Sequence, residues 1–427
     1  MTLNSGDAGF HLLPGDPPLV FVLQGSRLYQ IDRDLHDALA RSDADRTAQF
    51  VTDIDATVPR RRQPGELEAP TALSLNVAQA CNMGCEYCYA DKGQFGGRAR
   101  VMSSEVAFAG IDQLIANAPS DTVTVGFIGG EPFLNRELIH TSVAYAERRA
   151  ARADVKVRFS VTTNGTLLTG RDLDLLRAHA FAVTVSMDGG PATHDRYRPS
   201  RDGQGTFAPI LAALAPLLAE PAGTRIAARA TIARDDLDVA GRVHALTSLG
   251  FHEVGVSPIR TGPNAALVFQ EDDWGPFLNE MIGAAESEWR QVSAGARPQF
   301  ANLWSAVKQI HRGSARPLPC GSAVSYVSLS AEGTFHTCHR TIDDSRFALG
   351  TVGDGLDTVA RHAFVRARLV DAQEPCASCW ARYLCGGGCH AEVIASGRTG
   401  CDFIRGWLEH CIRTYDEVSR QRPELLS

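Results

Sequence analysis

With 427 residues, 44% of them hydrophobic and 21% charged, the chain is long enough for two or three domains, and its composition excludes a disordered or fibrous protein. Its 42 Lys and Arg against 49 Asp and Glu leave a net charge of −7, which gives no overall attraction to nucleic acid or anionic lipid. The longest uncharged stretch, Gly203 to Ala219, carries Pro209 and Pro216 and is short of a membrane span. The opening MTLNSGDAGFHLLPGDPP lacks the basic start and apolar core of a secretory signal, so a cytoplasmic location is expected, with no nucleic-acid or membrane partner. In a reducing compartment, eleven cysteines indicate metal or redox chemistry rather than a disulfide framework.

In chain order, Leu19 to Ile31 reads as two strands around a Gln24-Gly25-Ser26-Arg27 turn, followed by a helical DRDLHDALARS. Asp53 to Pro70 holds Arg60-Arg61-Arg62 and three prolines and reads as an exposed linker rather than a basic patch. Residues 1–70 thus form a small N-terminal module plus linker. From Thr71 to about Ile259, β-branched runs near 71–77, 122–128, 155–162, 182–187, 226–232 and 253–259 alternate with amphipathic segments near 103–118, 136–150, 170–179, 207–219 and 236–249. Six strands with helical crossovers imply an α/β fold with a parallel sheet, curled as a partial barrel or open, whose functional residues gather at the C-terminal strand ends. A helical bridge over 271–313 then leads into a cysteine-rich domain, expected to begin at about 318 and run to the C-terminus.

The cysteines fall in two regions: three between 81 and 88, none from 89 to 319, and eight from 320 to 411. Cys81, Cys85 and Cys88 form C-x3-C-x2-C directly after the first strand of the body. Spacing alone leaves zinc and an iron-sulfur cube open. A cube held by three thiolates differs from a closed zinc site in leaving one iron free for a small molecule.

This triplet, with Tyr87 before its last cysteine, resembles the signature of the radical S-adenosylmethionine (SAM) enzymes. The resemblance implies a partial (β/α)6 barrel, a 4Fe-4S cluster on Cys81, Cys85 and Cys88, and SAM chelated to the open iron and cleaved to a deoxyadenosyl radical. It implies SAM contacts from Tyr87, from Gly129, Gly130 and Glu131 in GGEP, from Asn164 in TTNGT, from Ser186 in SMDG, from Arg198 in HDRYRP and from Ile259. Singly, each motif reads as well as a turn or a core aliphatic. Their order at successive strand ends brings them to one sheet edge.

CASCWARYLCGGGC, with Cys320 and Cys338 upstream, resembles the SPASM domain and its two auxiliary 4Fe-4S clusters. By resemblance, Cys320, Cys338 and Cys389 hold the first, and Cys376, Cys379, Cys385 and Cys401 the second. Some family members carry a further cysteine between the first two; here Tyr326 and its neighbours supply none. Either Cys411 completes the first cluster, or an open iron remains and Cys411 is a buried thiol.

CNMGCEYCYADKGQFGG and CWARYLCGGGCHA resemble maturases that install thioethers in cysteine-rich ribosomal peptides. The expected function is therefore hydrogen abstraction from a precursor peptide with a leader, closing a thioether crosslink, with flavodoxin or ferredoxin as electron donor. The N-terminal module is a candidate peptide-recognition element. The alternatives are formylglycine formation on a sulfatase Cys or Ser and, from another class, a zinc-stabilised binding protein. The resemblance implies no sure catalytic base: His339 lies where some sulfatase-activating relatives place an acidic residue.

Overall fold

The computed structural model describes residues 9–55 and 67–426. A three-stranded antiparallel sheet comes first: β1 (Phe10–Leu13), β2 (Leu19–Val22) and β3 (Arg27–Gln30), followed by α1 (Arg33–Ala40) and α2 (Ala44–Asp55). The hairpin of β2 and β3 and the helix α1 follow the sequence reading. The strand β1 and the helix α2, which enters the expected linker, do not. Arg60, Arg61 and Arg62 lie outside the described residues.

The body is built on β4 (Ala72–Gln79), with the short β5 (Arg100–Val101) at its end, then α3 (Ser104–Ala116), β6 (Thr122–Gly129), α4 (Arg136–Ala153), β7 (Lys156–Thr163), α5 (Gly170–Ala178) and β8 (Ala182–Ser186). It continues through α6 (Pro191–Tyr197), α7 (Phe207–Ala219), β9 (Arg225–Ile232), α8 (Val239–Ser248) and β10 (Glu253–Pro258). The long helices α9 (Trp274–Ser293) and α10 (Ala301–His311) then lead to β11 (Tyr326–Leu329), β12 (Thr334–His336), β13 (Ala348–Thr351), β14 (Gly355–Leu356) and α11 (Thr358–Arg368). The chain ends in α12 (Arg382–Cys385), α13 (His390–Ser396) and α14 (Cys401–Gln421).

The six strands of the body are parallel, in the order β10-β9-β8-β7-β6-β4. Each successive parallel pair is joined by a helical crossover, as parallel pairing requires. The helices are written for this. Ser103 caps α3 by accepting from the Val106 N–H, and Ala107, Ile111, Leu114 and Ile115 put one apolar stripe onto the sheet. Each fully buried Leu or Ile contributes roughly 1.5–3 kcal/mol. In α5, Asp172 bonds the Thr169 N–H and hydroxyl while receiving Arg136 and His140, tying α4 to α5 at one buried carboxylate.

One pairing lies beyond any local pattern. β11 joins the sheet parallel to β4, with Tyr326 opposite Ala72 and Leu329 opposite Leu75, and β12 to β14 extend it. The cysteine-rich region therefore continues the sheet of the barrel. This buries β4 on both edges and faces, and seven of its eight residues are buried.

Candidate active site

The strand ends open into a cavity of about 590 Å3. Cys81, Cys85 and Cys88 lie in the loop after β4, and that loop is fastened to the segment beyond α6 by Gly84 N–H donating to the Pro199 carbonyl and by a bridge between Met83 and Ser200. The thiols of this triplet are near enough for their charges to act on one another. Burial raises the Cys81 thiol and pushes Cys85 up to about 11. Without a cation these side chains are neutral thiols, so a metal must displace their protons to bind. Cys81 is pre-set for an anionic sulfur, receiving the Met83 N–H at 3.4 Å and the Asn164 side-chain amide at 3.7 Å.

Tyr87, Gly129, Gly130, Asn164, Ser186, Arg198 and Ile259 all line this one cavity. Gly129 and Gly130 are required by the backbone: a Cβ at either would lie 2.2 Å from a carbonyl oxygen, of Ala78 and of Ala80 respectively. Glu131 is placed differently from expectation. It is fully buried beneath the lining and braces the strand ends, its oxygens accepting from the Asn164 N–H at 2.7 Å, the Thr163 hydroxyl at 2.8 Å and the Phe133 N–H at 3.1 Å. Burial raises its carboxyl to about 7 in spite of those bonds. The backbone of Gly129 and Gly130, not the carboxylate behind it, meets the cavity.

Arg198 is buried, and one of its guanidinium N–H groups donates to the Tyr87 oxygen at 2.5 Å, while the Tyr87 hydroxyl donates to Asp188 at 2.6 Å. Asp188 also accepts the Thr231 N–H at 2.9 Å, tying this chain to β9. The Arg198 Nε has no protein partner. A buried cationic donor left over at the rim of a cavity is the structural mark of an anionic ligand group.

The C-terminal region lines the same cavity through Arg340, Cys389 and Glu392, with the Arg340 guanidinium stacked over the Tyr89 ring next to Cys88. Glu392 is the carboxylate among the lining residues, held by Arg340 at 2.8 Å and Arg260 at 3.8 Å. Sequence reasoning missed it, although it lies in the first turn of α13, three residues after Cys389, the residue that precedes the helix. His339 does not line the cavity. It sits behind Tyr89, with its ring Nδ1 2.9 Å from the Tyr326 hydroxyl, and burial lowers it to about 4.

The remaining cysteines fall into two electrostatic groups. Cys376 and Cys385 feel Cys379 and Cys401, and these four line a second cavity of about 350 Å3 that Cys389 also borders. Cys338 feels Cys320 and Cys389. Cys411 is fully buried in the hydrophobic core, and burial alone raises its thiol. Among the described residues, no three His, Cys, Asp or Glu side chains converge on a single metal ion. Cys81, Cys85 and Cys88 instead line the first cavity and Cys376, Cys379, Cys385 and Cys401 the second, an arrangement suited to polynuclear clusters rather than to one tetrahedral zinc.

Residues 75–219 match the Radical SAM superfamily. The chain carries a radical SAM domain. It is 25% identical over 345 residues, 76% of this chain and 80% of the other, to the serine-type anaerobic sulfatase-maturating enzyme of Klebsiella aerogenes. Over 229 residues, 50% of this chain and 46% of the other, it is 25% identical to the radical SAM cyclopropyl synthase TigE of Paramaledivibacter caminithermalis. In fold it is similar to native anSMEcpe with bound AdoMet, at TM-score 0.70 and 18% identity over 82% of this chain and 99% of that one. The chain is thus a radical SAM enzyme, and the zinc-stabilised binding protein falls. In its radical SAM domain, the three thiols, the glycine backbone and the orphaned Arg198 donor fit a 4Fe-4S cluster with SAM.

Proposed function

We propose that this radical SAM enzyme oxidises a serine or cysteine side chain of a peptide to formylglycine, the reading its sulfatase-maturating relatives favour over the thioether expected from sequence. The observation that supports it is that one cavity is lined both by the cysteine triplet with the residues expected to contact SAM and, from the C-terminal region, by Cys389, Glu392 and Arg340.

A cluster on Cys81, Cys85 and Cys88 with SAM supplies the hydrogen-abstracting chemistry. The chain's own residues do the rest. Arg198 would hold the methionyl carboxylate, Gly129 and Gly130 would offer backbone to the amine, and Ile259 would pack against adenine. Converting a serine CH2–OH to an aldehyde removes two hydrogens, one as a hydrogen atom from carbon and one as a proton from oxygen with an electron left over; from cysteine the same loss gives a thioaldehyde, which water hydrolyses to the aldehyde with release of hydrogen sulfide. Glu392 is positioned to take that proton. The two C-terminal thiol groups, Cys320 with Cys338 and Cys389, and Cys376 with Cys379, Cys385 and Cys401, would hold auxiliary clusters able to accept that electron, with a flavodoxin or ferredoxin as the partner that would return it. Cys389, which faces the cavity, puts the first of these beside the substrate.

Glu392→Gln should lower peptide oxidation by about 10²–10⁴-fold while leaving SAM binding intact; equal turnover in the variant would remove Glu392 from the proton path. Incubation with a sulfatase peptide bearing the target serine or cysteine should give an aldehyde that a hydrazide captures. A single observation keeps the thioether as second reading: Cys338 has Cys320 and Cys389 as its thiol neighbours while Cys411 lies in the core, so a cluster held there would have an iron free for a substrate thiolate. A cyclised product with no capturable aldehyde would establish that outcome.

A further inference from the structure

The two C-terminal thiol groups are accompanied by a pair of arginines that no function above requires. Arg368, at the end of α11, acts electrostatically on Cys376 of one group and Cys389 of the other. Arg398 lines the 350 Å3 cavity and acts on Cys376. The two guanidinium groups also repel one another. Among the described residues, neither forms an ion pair with a carboxylate.

Their contacts hold them in place without neutralising them. Arg368 donates through Nε to the His390 ring nitrogen at 3.1 Å, and its buried Nη2 has no hydrogen-bond partner. Arg398 donates to the Gly387 carbonyl at 3.2 Å and to the Gln373 side-chain oxygen at 2.5 Å. The Gln373 amide in turn donates to the Arg368 carbonyl at 2.6 Å, locking both arginine segments together. Two fixed like charges, one with an orphaned donor, are costly unless an anion lies between them. The thiolates and sulfides of iron-sulfur clusters are such an anion, and N–H donors and positive charge beside cluster sulfur stabilise the reduced, more negative state.

We propose that Arg368 and Arg398 form a charge clamp at the junction of the two auxiliary clusters that raises the reduction potential of the cluster on Cys376, Cys379, Cys385 and Cys401, making it the acceptor of the electron released by the substrate. This rests on the assignment of auxiliary clusters above.

The test uses the full-length chain with Cys81, Cys85 and Cys88 replaced by alanine and then reconstituted, so that only the auxiliary clusters report. Absence of iron in this background would refute the cluster assignment itself, independently of the clamp. With iron bound, an EPR-monitored redox titration should show a shift to lower potential in Arg398→Gln and in Arg368→Gln, a larger shift in the double variant, and near-parental potentials in the two Arg→Lys variants. Loss of auxiliary iron in a glutamine variant with retention in the corresponding lysine variant also supports charge compensation. Unchanged potentials in the glutamine variants, or the same shift or iron loss with lysine, would overturn the clamp.

Discussion

Replacing Cys85 by alanine should reduce SAM cleavage to background and remove about four irons per chain while the C-terminal thiol groups keep theirs. The expectation follows from position. Cys85 is in the loop beyond β4, partly buried, with its thiol pushed up to about 11 by burial. A thiol so reluctant to ionise contributes no charge to the empty fold, so its loss should leave the unfolding transition little changed. Two thiols in place of three cannot hold a cube at this site. The same raised thiol makes cluster assembly release protons at neutral pH, and loading of the wild-type triplet should therefore improve as pH rises. Deoxyadenosine formation by the alanine variant at the wild-type rate would remove the triplet from the chemistry.

Arg198→Gln should have the second-largest effect, on ligand and fold together. The guanidinium is the cation that most lowers the buried Asp188 carboxyl, to which it is linked through the Tyr87 hydroxyl. Removing it leaves Asp188 as a buried carboxylate supported by Tyr87, the Thr231 N–H and the charge of Arg242, a type of loss that costs about 3–5 kcal/mol. Burial already holds the Asp188 carboxyl above its ordinary value, and loss of Arg198, which lowers it, raises it further. A group whose folded value is raised lends stability below its unfolded value and loses it as pH rises through the folded one. The variant's deficit should therefore be smallest in acid and widen only as pH rises past the wild-type folded value of Asp188, itself above the ordinary carboxylate range, as thermal unfolding across pH would show. SAM affinity should fall with the loss of the free Nε donor. A variant that matches the wild type at neutral pH in both stability and SAM affinity would contradict this role.

The sequence made the barrel legible because its signals are local. Runs such as VTVGFIGG and RFSVTT alternate with capped amphipathic helices, and the six strands and five main helices fall close to where periodicity places them. The cysteine groups were legible from spacing and likeness. What escaped depends on distance along the chain or on short length. Phe10–Leu13 is too short to mark a strand by itself, and α2 merged into a proline-bearing stretch. The pairing of β11 with β4 joins residues some 250 positions apart, which no window reveals. Glu131 illustrates another limit: a glutamate after two glycines reads as a ligand group, yet three donors within the fold claim its oxygens. Glu392, hidden in CHAEVI, becomes a site residue only once α13 is known to face the barrel.

These two regions meet at one cavity, and the chemistry proposed for that cavity requires a cluster on the triplet with one iron open to SAM. Electron-nuclear double resonance of the reduced, reconstituted protein, with SAM labelled at its amino nitrogen, addresses this directly. Coupling of the labelled nitrogen to the Cys81, Cys85 and Cys88 cluster, lost in Cys85→Ala, is the expected result. A fully loaded cluster with no coupling to the label, its fourth iron held by a protein side chain, would contradict it.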